Sequence, residues 1–348
     1  MIEAGPEAVG FGTDPDLVNR APMQASPAVF MERPHVVLLG AGASRAAHEA
    51  GDVDGGALPV MDDLVTVTGL ASELDQLGIE YRGRNFEELY GELCDQPSLQ
   101  PHRQRIEARL REYFLRLHLV RRPTLYDHLV LSLREKDVIA TFNWDSLLFD
   151  ACARNWRHTK LPHVLYLHGN VRIGYCETDW KQGPIAEPCS VCGRARTPVP
   201  LLFPVARKDY ASDPYIRTSW DLVRNALRSA FVVTIFGYSG PESDAEAIRV
   251  MEEAWGEPDV RELEQVEIID LKDEEELRRK WSRFICSHHY QTTRTFYESL
   301  IAQHPRRTCE AVWNQTQEGI EQAPTPVPRN LDFKRFHDWY ARLRTDEE

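Results

Sequence analysis

Short apolar runs alternate along this chain with stretches in which hydrophobic positions recur every three or four residues. His35-Val36-Val37-Leu38-Leu39 is the first run. Continuous apolarity over so few residues is the mark of a strand buried on both faces. Similar runs follow at residues 137–141, 164–167, 231–236 and 266–270. Between them the period changes. Residues 45–50, 85–90, 124–134, 146–154, 219–229, 244–254 and 331–343 read as helices, and a further helix restarts around Pro59. Ile106, Leu110, Tyr113 or Phe114, and Leu117 mark one apolar face of a helix after Pro101. Strands alternating with helices predict an α/β fold, a doubly wound parallel sheet of Rossmann type with helical insertions.

The organisation expected from this pattern has three parts. Residues 1–33 carry Gly, Pro and Asp without periodicity and read as a flexible arm. Residues 34–272 form the α/β domain, with a helical insert at 81–135 and a cysteine-containing insert at 174–200. A glycine-rich loop is expected at 51–57. Residues 273–348 read as a charged helical extension.

Composition narrows the function. Of 348 residues, 41 are Lys or Arg and 54 are Asp or Glu, for a net charge of −13. Such a surface lacks the basic footprint that phosphate-backbone binding requires, so direct nucleic-acid binding is not expected. No apolar run reaches the ~18 residues of a membrane span. The beginning of the chain has no secretory pattern. The 7 cysteines are an odd number with one close pair, which fits free thiols in a reducing, cytoplasmic setting.

The candidate chemistry gathers at the carboxyl ends of the expected strands, where ligands of such sheets bind. Gly40-Ala41-Gly42-Ala43-Ser44 follows the first strand, a glycine turn leading into a helix start. That arrangement suits an anion such as a pyrophosphate. Asn143 and Asp145 follow the second strand, His168 and Gly169 the third, Gly237 and Ser239 the fourth, Asp270 the fifth. An Asx residue after a strand often only caps the next helix. It can also orient a water or hold a ribose or carboxamide. His168 has the titration range of a general base. Five such ends together predict one shared cleft. In the insert, Cys176, Asp179, Cys189 and Cys192 are spaced for a metal, with His163 or His168 as other fourth ligands and a metal-free loop as the alternative.

In order, GAGAS, TFNWD, LYLHG, a cysteine insert and FGYSGPESD resemble the sirtuin superfamily, and more narrowly its bacterial NAD-hydrolysing domains of antiviral defence. The resemblance covers residues 34–272 and implies a sirtuin-type sheet. By it, Gly40, Ala41, Gly42 and Ser44 would hold the pyrophosphate of NAD. Asn143 would lie beside the nicotinamide ribose, Asp145 near the carboxamide, and His168 in the catalytic position. Gly237, Ser239 and Asp270 would serve the adenosine side. Cys176, Asp179, Cys189 and Cys192 would stand where the family holds structural zinc, with Asp179 in place of a cysteine. The departures lie in peptide binding. Leu201-Leu202-Phe203-Pro204-Val205, followed by Lys208 and Tyr210, replaces the usual Phe-Gly-Glu segment, and Phe142-Asn143-Trp144-Asp145 replaces Gln-Asn-Ile-Asp. The expectation is therefore NAD⁺ hydrolysis to nicotinamide and ADP-ribose, in a regulated effector that assembles with itself or with a defence partner. The alternatives are an NAD-dependent protein deacylase and a non-catalytic sensor of NAD or ADP-ribose.

Overall fold

The computed structural model describes residues 32–48, 56–205, 208–286 and 288–345. Most of the expected arm at 1–33 and most of the loop at 51–57 lie outside these residues.

A six-stranded parallel sheet carries the fold. It is built from β1 (His35–Leu39), β2 (Val138–Thr141), β3 (His163–Tyr166), β7 (Val232–Phe236), β8 (Gln265–Ile269) and β9 (Tyr290–Thr293), in the order β3-β2-β1-β7-β8-β9. Every residue of β1, β2 and β7 is buried. Successive side chains of β1 face opposite sides: Val37 and Leu39 join one core, Val36 and Leu38 the other. Helices must therefore cover both faces. The first face is packed by α1 (Ala41–Ala47), α2 (Phe86–Asp95), α3 (Gln100–Arg116), α4 (Leu125–Ser132) and α5 (Leu147–Asn155). The second is packed by α6 (Pro214–Ser229), α7 (Ala245–Trp255) and α8 (Glu274–Lys280), through Trp220, Met251 and Leu277.

Local signals explain several helix starts. Asn85 caps α2 by accepting from Glu87 N–H at 2.8 Å. Thr124 and Asp127 form a capping box at the head of α4. The apolar stripe of α3 is buried at Ile106, Leu110 and Phe114.

Two expectations about the sheet change. The region 273–348 is not helical throughout, because it supplies β9, which pairs in parallel with β8. Tyr290, Gln291, Thr292 and Thr293 are all half-buried, as befits an edge strand, so no apolar run advertises them. The chain then closes with α9 (Phe333–Thr345), which packs Phe336 and Tyr340 onto the first face. The Tyr340 hydroxyl meets His128 Nδ1 at 3.0 Å and Ser132 Oγ at 2.9 Å. The cysteine insert is more than a loop. It holds a small antiparallel sheet of β4 (Ile173–Tyr175), β5 (Gln182–Pro184) and β6 (Thr197–Pro198), with β4 in the middle.

The strand order reverses between β1 and β7. That switch point opens the crevice in which such sheets bind ligands.

Candidate functional site

The cleft lies at the carboxyl ends of the strands and has a volume of about 1330 Å³. This exceeds the ~300–1,000 Å³ of ordinary small-molecule pockets. Of the residues singled out in the sequence, Gly40, Ala41, Gly42, Asn143, Asp145, His168, Gly237, Ser239 and Asp270 all line it. Ser44 does not. It is buried beneath the floor, with Oγ 2.8 Å from the Tyr126 hydroxyl and accepting from Asn143 Nδ2 at 2.9 Å.

The glycine turn works differently from its sequence pattern. α1 begins at Ala41, not at residue 45, with Gly40 as its N-cap. The Gly42 N–H donates to Gly237 O at 2.9 Å and the Ala43 N–H to Gly40 O at 3.0 Å. Those two donors are already paired and do not await an anion. The close approach that the glycines permit is to another turn: a Cβ on Gly40 would lie 2.5 Å from Gly237 O, and one on Gly237 would lie 2.3 Å from Ala43 N. Gly169 is similar. Its φ is +79°, and a Cβ there would lie 1.9 Å from Pro200 O, so the chain leaving the cysteine insert makes the close approach, not a ligand.

Asn143 bridges two strand ends. Its Nδ2 donates to Gly40 O at 2.8 Å as well as to Ser44 Oγ. With both amide hydrogens committed, its carbonyl oxygen is what it can offer the cleft. Asp145 accepts from Leu147 N–H at 3.0 Å, so it secures the head of α5 while lining the cleft. Burial raises its pKa, against the pull of that N–H and of Ser44. At the far end, Asp270 Oδ1 accepts from Lys272 N–H at 3.1 Å and Ser239 is exposed.

His168 is buried, and its ring edge meets the Phe142 ring at 4.9 Å. Burial brings its pKa down to about 4, with Asp244 opposing that shift and Lys208 adding to it. The imidazole is therefore neutral at neutral pH. Its Nε2 is buried without a hydrogen-bond partner among the described residues.

Sequence reasoning missed what stands behind His168. Asp244 sits at the head of α7, where it reads as a helix start. Its Oδ1 accepts from Lys208 Nζ at 2.5 Å and its Oδ2 from the Tyr238 hydroxyl at 2.9 Å. Tyr238 stacks on Phe142 at 4.1 Å. The one available signal was position: Asp244 closes the FGYSGPESD segment and Lys208 lies in the altered stretch after the insert.

The cysteine insert brings Cys176, Asp179, Cys189 and Cys192 together, with their ligand atoms all within 4.8 Å of one another. Three soft sulfurs and one carboxylate fit a closed, four-coordinate zinc site. Among the described residues neither His163 nor His168 joins that group.

No protein-family model matches this chain. No curated protein matches it. Solved structures do. A mutant Sir2 homologue in complex with ADP ribose is 16% identical, with 71% of this chain and 84% of that one covered at a TM-score of 0.36. A mutant Sir2 homologue complex with 2′-O-acetyl ADP ribose is 14% identical, with 85% and 97% covered at 0.40. A Sir2 homologue–NAD complex is 12% identical, with 84% and 93% covered at 0.31.

Proposed function

We propose that this chain is an NAD⁺ hydrolase of the sirtuin superfamily, and that it belongs to the NAD-consuming type that serves antiviral defence in bacteria. The observation that carries the reading is the convergence of Gly40, Asn143 with Asp145, His168, Gly237 and Asp270 from five different strand ends on one large cleft. The order of the five motifs along the chain supports the family, and the altered stretch around Lys208 favours water over an acyl-lysine peptide as the acceptor.

The nicotinamide of NAD⁺ leaves as a neutral molecule, so no acid need protonate it. The barrier lies in the positive charge that grows on the ribose as the glycosidic bond stretches. The site must hold dinucleotide and water in register. Gly40, Ala41 and Gly42 lie beside the pyrophosphate, with Ser44 supporting them from below. Gly237, Ser239 and Asp270 take the adenosine half, and Asp145 the carboxamide. The carbonyl oxygen of Asn143 orients the water or a ribose hydroxyl. The neutral His168 takes the water proton as the oxygen bonds to the ribose carbon. The electron pair of the C–N bond leaves with nicotinamide, and ADP-ribose is the second product.

The cysteine cluster would hold structural zinc through Cys176, Asp179, Cys189 and Cys192. The zinc would fix the fold of the insert and take no part in the reaction. Self-assembly, or a partner protein, would switch activity on.

The test is incubation with NAD⁺ and no peptide, with products separated by chromatography. Nicotinamide and ADP-ribose are expected, and His168→Ala should lose about 10²–10⁴-fold in rate while remaining folded. Equal turnover by a folded His168→Ala, or O-acyl-ADP-ribose formed only with an acyl-lysine peptide, would overturn the proposal. NAD⁺ binding without turnover in every assembly state would leave a sensor. Mass measurement at micromolar concentrations, with and without NAD⁺, tests assembly, and a constant monomer would remove it.

A further inference from the structure

A base with a pKa near 4 accepts protons weakly at neutral pH, and the groups behind His168 bear directly on that weakness. His168 Nε2 lies 3.7 Å from Asp244 Oδ1, the same oxygen that Lys208 Nζ holds at 2.5 Å. The side chains of all three are nearly sealed from solvent, at 6%, 6% and 2% exposure. Lys208 Nζ is also tied to Ser243 O at 2.7 Å. An ion pair this deep adds little net stability, because desolvation offsets most of the attraction. Stability alone therefore does not account for it.

We propose that Asp244 is the positioning residue of His168, receiving the proton on Nε2 so that Nδ1 is the basic nitrogen, and that Lys208 competes for the same carboxylate oxygen and restrains the base. The proposal rests on the NAD⁺-hydrolase reading for its purpose but not for its geometry. At 3.7 Å the imidazole and carboxylate are just beyond hydrogen-bond reach. The ammonium occupies the oxygen that Nε2 would need. Even at this distance the carboxylate favours the tautomer with its proton on Nε2; when Lys208 withdraws, Asp244 is free to close on the ring and stabilise the imidazolium, as an aspartate does for the histidine of a hydrolytic triad.

The other groups around this trio do not supply a substitute. The Tyr238 hydroxyl donates to the second oxygen of Asp244. The Tyr210 ring lies 6.1 Å from His168 in a stacked orientation, and its phenol stays protonated because burial pushes its pKa up. Glu87 feels both Asp244 and Lys208 and is raised above the usual carboxylate range mainly by burial. Burial works against ionised Asp244, yet His168, Lys208 and Tyr238 together bring its pKa below the usual range. The carboxylate is therefore available as a charge, and Lys208 controls how much of it reaches the imidazole.

Magnetic resonance of the full chain with isotope-labelled histidine reads this directly. The His168 ring signal is identified by its loss in His168→Gln. In the wild type at pH 7 the proton should reside on Nε2, and Asp244→Asn should abolish that preference. Lys208→Met should raise the His168 titration midpoint by about one to three pH units. Lys208→Arg, which keeps the charge, should leave it near the wild-type value. If Lys208→Met does not fold, the double variant Lys208→Met/Asp244→Asn should show no rise, and the tautomer in Asp244→Asn carries the test. A wild-type ring with its proton on Nδ1, or a midpoint that ignores both Lys208→Met and Asp244→Asn, overturns the proposal. None of these signals needs turnover. Shifts as expected with no cleavage of NAD⁺ in any assembly state would refute the hydrolase reading alone. Cleavage of NAD⁺ with an unmoved ring signal would refute the positioning role alone.

Discussion

Gly237→Ala is the sharpest perturbation of the cleft, because the turn after β7 and the turn after β1 touch through backbone atoms. Gly237 has φ +58°, a conformation that costs an L-residue roughly 1–2 kcal/mol. Its new Cβ would lie 2.3 Å from Ala43 N and 2.5 Å from Gly42 C. Neither atom is the end of a side chain that could swing away. The head of α1 must move, and with it the hydrogen bond from Gly42 N–H to Gly237 O. That bond is worth about 1 kcal/mol, and forced overpacking typically adds about 1–3 kcal/mol. The variant should therefore lose about 4 kcal/mol, in the range reserved for specific structural damage.

Gly69→Ala isolates the conformational part. Gly69 has φ +73°, nothing lies within 4 Å of its missing Cβ, and it does not line the cleft. It should lose only about 1–2 kcal/mol and bind NAD⁺ as the wild type does. Urea denaturation followed by fluorescence of the 8 tryptophans gives both stabilities, and calorimetry gives NAD⁺ affinity. Gly237→Ala should also bind NAD⁺ poorly, because both displaced turns line the cleft. If the two variants fall within about 1 kcal/mol of each other, the claim that the turns are packed backbone against backbone is wrong.

Ser44→Ala should cost about 1–3 kcal/mol, since it removes one partner of the buried Tyr126 hydroxyl and takes one acceptor from Asn143; a denaturation midpoint equal to the wild type's would show that Ser44 is not the support described. Acid should weaken the fold between pH 6.5 and 4. Burial lowers His35, His128 and His168 each to about 4, so the unfolded chain binds more protons throughout that window. Each histidine contributes stability that is fully present above pH 6.5 and lost as the pH falls, at most about 3 kcal/mol apiece. Glu267, raised mainly by burial, acts in the opposite direction as pH rises above the ordinary carboxylate range. Denaturation midpoints that stay level from pH 7 to 4.5 would contradict the burial of these rings. Elemental analysis should find one zinc per chain, and Cys189→Ser should lose it with a lower thermal midpoint; a metal-free protein whose midpoint ignores chelators would leave the cysteine cluster without a metal role.

What the sequence made legible is what short-range physics determines. The runs containing Val36 to Leu39 and Val232 to Phe236 read as buried strands, and a helix was expected from Thr124, where the structure starts one at Leu125. The cleft followed from this, because small and polar residues at successive strand ends meet once the strands are parallel. Tyr290 to Thr293 escaped because an edge strand need not be apolar. The coupling of Lys208 and Asp244 to His168 escaped for another reason. Lys208 and Asp244 are 36 positions apart, and no local pattern says that one carboxylate oxygen will face both an ammonium and an imidazole. Gly40 and Gly237 show the same limit from the other side. Gly40 sits in the sequence pattern of a phosphate cradle and Gly237 in one expected to hold adenosine, but in the fold each glycine first makes room for the other's turn. A dinucleotide held here would meet a floor already closed by protein hydrogen bonds. Its grip must then come from side chains reached across the sheet, among which Asn143 and His168, with Asp244 and Lys208 behind it, are the ones whose removal should be felt in turnover.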